Sequence, residues 1–101
     1  MEYRELNALV IAWAEQKGIL EKGTPLRQCD KTLEEVKELR YALFTNNREE
    51  IIDALGDIFV TIIIQAEMQG LNLIDCLESA YNVITKRSGE MIDGQFVKNT
   101  L

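Results

Sequence analysis

The sequence predicts an all-α protein, a four-helix antiparallel bundle-like subunit, on three observations. Apolar residues recur at spacings of three and four along most of the chain. Period-two alternation is scarce before residue 89, and glycines and asparagines fall where periodic segments stop and start. With 101 residues, 47% of them apolar and 28% charged, the chain is expected to form a single domain over 1–101 with a core of modest size.

The first helix is expected from Glu2 to Lys17, where Leu6, Leu9, Val10, Trp13 and Ala14 share one face and Gly18 supplies the stop. Trp13 reads first as a core residue. Residues 18–25 form a connection, and the sole proline, Pro25, suits the first turn of a second helix running to about Phe44. Val36, Leu39 and Leu43 make its apolar stripe. Asn46 and Asn47 interrupt the pattern, and Asn47 is placed to cap a third helix from Arg48 to Gln69, with Glu49 and Glu50 in its first turn. From Ile51 onward this helix is apolar on nearly every side, so it is expected to be buried all round. A chain this short has too little surface to cover it, which points to a homodimer or homotetramer. Asn72 caps a fourth helix from Leu73 to Arg87, with Ile74, Leu77, Ala80, Tyr81 and Ile84 inward. The tail carries Asp93-Gly94 between short apolar pieces, the signature of a small hairpin or an extended end.

Charge and composition exclude several functions. A net charge of −6 argues against a nucleic acid polymer as partner, because phosphate contacts need clustered Lys and Arg. The longest apolar run, Ile58–Ile64, is broken by Thr61 and too short for a membrane span. Cys29 and Cys76 lie far apart with no signal peptide before them, as expected for reduced thiols in a cytoplasmic protein. There is no histidine, which removes Ser-His-Asp chemistry, histidine-based zinc sites and Glu-x-x-His di-iron sites. What remains is chemistry by carboxylates, Lys, Arg, Tyr or a hard metal ion.

The carboxylates are grouped. At about 100° per residue, Glu34, Glu35 and Glu38 share one sector of the second helix with Lys31. Glu50, Asp53 and Asp57 share a wedge of about 60° on the third. Two readings stand side by side: a solvated charged face, or a site for a hard divalent cation. No Lys or Arg lies between Glu49 and Met68 to neutralise the second group. Like charges one turn apart are destabilising by roughly 0.2–0.5 kcal/mol per pair. Carboxylate oxygens suit Mg²⁺ or Mn²⁺, and Mg²⁺ commonly shares its shell with a substrate phosphate.

The run Gln28-x-x-Lys31-x-Leu33-Glu34-Glu35-x-x-Glu38-Leu39, followed by Glu50-x-x-Asp53-Ala54-Leu55-Gly56-Asp57-Ile58-Phe59-Val60, resembles the MazG-like all-α nucleoside triphosphate pyrophosphatases. Their signature is E-E-x-x-E and then E-x-x-D on adjacent helices. Ala80-Tyr81-Asn82, Arg87-Ser88-Gly89 and Gly94-x-Phe96-Val97-Lys98 are similar to the C-terminal part of short phage- and cassette-type members. The sequence departs from the pattern at Ala54, where many members carry the second motif's Glu. Glu50 and Asp53 satisfy the spacing in another register.

The resemblance implies a Mg²⁺-dependent hydrolase, with Mn²⁺ as a substitute, that cleaves a nucleoside triphosphate between its α and β phosphates to the monophosphate and pyrophosphate. It implies Glu35, Glu38 and Asp53, with Glu50 or Asp57, as metal ligands. Glu34 would orient or deprotonate the attacking water, or else accept a hydrogen bond in the outer shell. Lys31, Asn82, Lys86 and Arg87, with Lys98 from the tail, are its phosphate contacts, and Trp13 and Gln28 its nucleobase contacts. Sites of this family are built between subunits. The role implied is nucleotide-pool cleaning. Two other readings remain: a related enzyme acting on phosphoribosyl-ATP, and a non-catalytic helical dimerisation or regulatory module.

Overall fold

The computed structural model describes residues 1–99, and within them the chain forms five helices and one hairpin: α1 (Tyr3–Gln16), α2 (Ile19–Lys22), α3 (Pro25–Phe44), α4 (Arg48–Met68), α5 (Leu73–Ile84), β1 (Gly89–Ile92) and β2 (Gln95–Lys98). The all-α expectation holds for the body of the chain. No described helix is long and apolar enough to cross a membrane.

Local chemistry sets the helix boundaries. Thr24 caps α3 by accepting from the Arg27 N–H, with Pro25 in the first turn. The α3–α4 turn is compact because Asn46 adopts a left-handed conformation (φ 52°). The Asn47 N–H then reaches back to the Ala42 carbonyl and the Asn46 N–H to that of Leu43, a Schellman closure. Asn47 also caps α4, its side chain accepting from the Glu50 N–H at 3.2 Å. Gly70 repeats the device at the end of α4 with φ 68°, and Asn72 caps α5 through the Ile74 N–H.

α4 lies at the centre. It packs most extensively against α3, then against α1, and touches α2 and α5 more lightly. Small residues dominate the core: Ala14, Ala42, Ala54 and Ala66 are buried together with Ile63 and Ile64. Close helix approach over alanines explains why no large side chain is fully enclosed.

Three expectations need correction. The connection 18–25 contains a helical turn, α2, too short to show a periodic pattern. The last helix stops at Ile84 rather than Arg87, because Val83, Ile84 and Thr85 form a β-branched run that weakens its final turn. α4 is not covered all round within one chain, as expected of a chain this short: Ile52, Leu55 and Phe59 are exposed. Nor do Leu77, Tyr81 and Ile84 point into a bundle: α5 touches α4 alone among the other elements, and Leu77 is 65% exposed. Periodicity marked an apolar face correctly but does not say what covers it.

The Asp93-Gly94 hairpin forms as expected. Both turn residues have positive φ (48° and 83°), and β1 and β2 pair antiparallel with Met91 opposite Phe96. The Phe96 ring lies close above Gly89, where a Cβ would meet its Cζ at 2.6 Å.

Candidate metal centre

Gln28, Glu35 and Ala42 are the buried residues of α3 and fall at seven-residue intervals on the face toward α4. Two contacts fix how the helices slide against each other. The Gln28 Nε2 donates to the Thr61 carbonyl at 3.1 Å, and the Thr32 hydroxyl donates to the Thr61 hydroxyl at 2.9 Å. Thr61 in turn donates to the Ile58 carbonyl at 2.7 Å. Because the helices are antiparallel, advancing from Gln28 to Glu35 moves an equal distance back along α4, to the neighbourhood of Ala54 and Asp57. Ala54, 3% exposed, leaves space there.

Carboxylate oxygens of Glu35, Glu38 and Asp57 accordingly lie within 4.8 Å of one another. Glu35 is 8% exposed, and its Oε2 is buried with no hydrogen-bond partner. Its Oε1 has one cationic neighbour, the Lys31 Nζ at 3.8 Å, which also stands 3.6 Å from Glu34. Burial pushes the Glu35 carboxyl up from its ordinary value; the adjacent carboxylates of Glu38 and Asp57 push the same way, and Lys31 opposes them. A buried anion with a bare oxygen, facing two more carboxylates, is a poor arrangement without a cation and a good one with it. An all-oxygen donor set selects hard divalent ions. The residues present therefore fit a metal.

The other candidates are placed differently. Glu34, Glu50 and Asp53 are exposed and stand outside the trio. Trp13, 46% exposed, is not the core residue its periodicity suggested. It lines a pocket of about 360 Å³ with Leu6, Leu9, Val10, Val60 and Asp57, so one residue of the trio shares a pocket with it. Gln28 is buried and its amide donor is engaged by α4. Asn82 lies on α5 and Lys86 and Arg87 just beyond it, all exposed; α5 makes no contact with α3, and no described ion pair joins Lys86 or Arg87 to Glu35 or Glu38. Sequence reasoning overlooked Thr32 and Thr61, although Thr61 was visible as the polar break in Ile58–Ile64.

Residues 13–82 match the phosphoribosyl-ATP pyrophosphohydrolase family. The chain belongs to that family. This phosphoribosyl-ATP pyrophosphohydrolase match spans α3, α4 and all three clustered carboxylates, and it agrees at the level of the MazG-like superfamily with the resemblance carried by the acidic motifs. The family is named for a pyrophosphohydrolase activity. An uncharacterised 18.2 kDa protein from the rep-hol intergenic region of Haemophilus phage HP1 is 34% identical over 73 residues, which cover 72% of this chain and 45% of the phage protein. The chain thus spans less than half the length of that relative. No solved structure matches it significantly.

Two measurements probe this geometry. Gln28→Leu should lower the melting temperature, since it removes the buried side-chain bond that ties α3 to the Thr61 carbonyl, worth about 0.5–1.5 kcal/mol. In a domain of this size that corresponds to roughly 4–8 °C per kcal/mol, and an unchanged melt would show that the contact does not hold the helices in register. Second, the thermal stabilisation given by Mg²⁺ or Mn²⁺ should shrink as pH falls through the raised Glu35 value, because proton and metal compete for one carboxylate. A metal-induced shift independent of pH between about 4 and 8 would remove Glu35 from the site.

Proposed function

We propose that the protein is a Mg²⁺-dependent nucleoside triphosphate pyrophosphohydrolase of the short phage and cassette type, serving nucleotide-pool cleaning in the cytoplasm. The observation that carries this reading is the Glu35–Glu38–Asp57 trio, with its buried bare oxygen, at the rim of the Trp13 pocket. Glu35, Glu38 and Asp57 would hold the ion, and Glu50 and Asp53 would add negative potential from α4. When bound, the ion neutralises the approaching triphosphate and polarises a phosphorus–oxygen bond. Glu34, held by Lys31 at 3.6 Å, takes the proton of the attacking water. The water oxygen bonds to phosphorus, the α–β bridging bond breaks, and pyrophosphate leaves with the electron pair. The base stacks on Trp13, Gln28 holds the floor of the site, and Lys31, Asn82, Lys86 and Arg87 meet phosphate.

The reading includes a homodimer, or a homotetramer built from it. The chain exposes 8,312 Å² of surface at 11.6 kDa, against roughly 5,800 Å² for a folded monomer of that mass. The excess, about 2,500 Å², is of the size that a permanent subunit interface removes.

Family membership favours phosphoribosyl-ATP as a second substrate reading. A pyrophosphate-release assay over ribo-, deoxyribo- and damaged nucleoside triphosphates and phosphoribosyl-ATP, with Mg²⁺ and with Mn²⁺, separates the two. Pyrophosphate and a monophosphate, without orthophosphate, are expected from a deoxynucleotide. Turnover of phosphoribosyl-ATP alone would move the substrate to the second reading. No release from any of them, with no effect of millimolar Mg²⁺ on melting, would leave a non-catalytic helical module.

A further inference from the structure

We infer that the furrow between α1 and the α4–α5 turn is a second binding site, built for a small zwitterion, an aliphatic α-amino acid. The inference goes beyond the metal-site reading, since the furrow shares no described residue with the Glu35–Glu38–Asp57 trio. Its central side chain, Asn7, lies before residues 13–82, the part that the family match covers.

Asn7 is the first ground. It is 8% exposed, and with Ala14 it forms the buried line of α1. Its Oδ1 accepts from the Tyr3 hydroxyl at 3.3 Å, one turn back. Among the described residues its Nδ2 donates to no protein acceptor. With Oδ1 turned to Tyr3, Nδ2 faces the two cavities that Asn7 lines, of about 280 Å³ and about 350 Å³. The cavities share Asn7, Ile11 and Asn72 and so form one furrow. Each half is far larger than the roughly 30 Å³ that one water occupies. Buried amides are paired with protein, water or ligand. An amide that its own chain leaves open beside a furrow of this size points to an occupant.

The charges around Asn7 are the second ground, and they select the ligand. The turn Gly70–Leu71–Asn72 brings the C-terminus of α4 and the N-terminus of α5 together along the furrow. The first of these ends is partly negative and the second partly positive. Glu67 adds a carboxylate at the α4 end. At the α5 end Asn72 caps the Ile74 N–H, and the Leu73 N–H has no backbone acceptor among the described residues. Arg4 and Asp75 line the other half of the furrow. None of Arg4, Glu67 and Asp75 enters a described ion pair, so both signs face the furrow unpaired. A simple anion there would meet Glu67 and Asp75, and a simple cation would meet Arg4 and the α5 N-terminus. A zwitterion satisfies both: its carboxylate takes the Asn7 amide, the Leu73 N–H and Arg4, and its ammonium takes a carboxylate. Ile11 and the buried Ile63 leave an apolar wall between them, which suits an aliphatic side chain.

Proton–nitrogen correlation spectra of the full-length ¹⁵N-labelled protein test this, with neither substrate nor metal present. Leucine, isoleucine, valine and methionine are titrated at millimolar concentration, beside isovalerate and isoamylamine, which carry one charge each. A saturable shift of the Asn7 side-chain amide pair and of the Leu73 N–H is expected from an aliphatic amino acid, and none from the single-charge analogues. Arg4→Gln and Asp75→Asn, both at exposed positions, should each weaken that binding about tenfold, as loss of one charge-assisted contact implies. Asn7→Ala should abolish it, and where that variant fails to fold the two surface variants decide. No shift from any of the amino acids would leave the furrow holding water only and overturn the inference. Shifts as large from isovalerate or isoamylamine, or undiminished binding in both surface variants, would overturn it as well. Pyrophosphate release enters none of these readouts, so failure of the functional reading leaves the test intact.

Discussion

Replacing Glu35 by Gln is expected to raise the melting temperature of the metal-free protein while abolishing its response to Mg²⁺ and its turnover. The expectation follows from two facts that pull in opposite directions. Glu35 is buried with one oxygen lacking any partner, beside two more carboxylates, so its charge opposes folding when no ion is present. The same charge is what a hard cation requires. Gln keeps the shape and removes the charge. The variant loses the Lys31 contact, but that lysine is half-exposed and the pair contributes at most about 1 kcal/mol. Relief of the buried charge outweighs it, at about 1–3 kcal/mol, or several degrees in a domain of this size.

The pH dependence carries the same sign. A carboxyl whose folded pKa lies above its unfolded value gives stability that is fully present below the unfolded value and lost as pH rises through the folded one. Glu35 is shifted upward, chiefly by burial. The metal-free wild type should therefore lose stability as pH climbs through that window, and the Gln variant should lose less. Melts at fixed protein concentration, with and without Mg²⁺, give both quantities. A variant that melts lower than wild type in the absence of metal, or still gains from Mg²⁺, would show that Glu35 is not the pivotal ligand.

Local rules made much of this molecule legible. Thr24-Pro25, Asn47 and Asn72 begin helices where capping chemistry says they should, and Asp93-Gly94 turns the hairpin. What stayed hidden depends on contacts distant in sequence. A helical wheel puts Asp53 and Asp57 in one wedge and cannot choose between them. The choice comes from Gln28 and Thr32 gripping Thr61, 33 and 29 residues away, which fixes the sliding position of α3 on α4. Trp13, Leu77 and Tyr81 failed for a related reason. Their spacing identifies an apolar face, and the surface that covers such a face need not belong to the same chain. The seven-residue recurrence of Gln28, Glu35 and Ala42 was present in the sequence as a clue to the α3 contact line. It was masked because two of the three are polar.

The sliding position of the helices makes a graded prediction along α4. Asp57→Asn should reduce kcat/KM by about 10³, the loss of about 4 kcal/mol expected when a ligand that positions the ion at the phosphate is removed. Asp53→Asn, one turn away and outside the trio, should cost about tenfold through lost negative potential, and Glu50→Gln about twofold or less. The first substitution also isolates function from folding. Asp53 and Asp57 are like charges at i,i+4, whose repulsion is roughly 0.2–0.5 kcal/mol, so Asp57→Asn should leave the metal-free melting temperature unchanged or slightly raised. Mn²⁺ titration followed by electron paramagnetic resonance should show the same order of weakened binding, independent of turnover. The reverse order, with Asp53→Asn the most damaging and Asp57→Asn close to wild type, would mean that the metal follows the Glu50–Asp53 spacing. Glu35 would then need another explanation for its bare oxygen, because Ala54 leaves α4 no carboxylate at the position facing it other than Asp57.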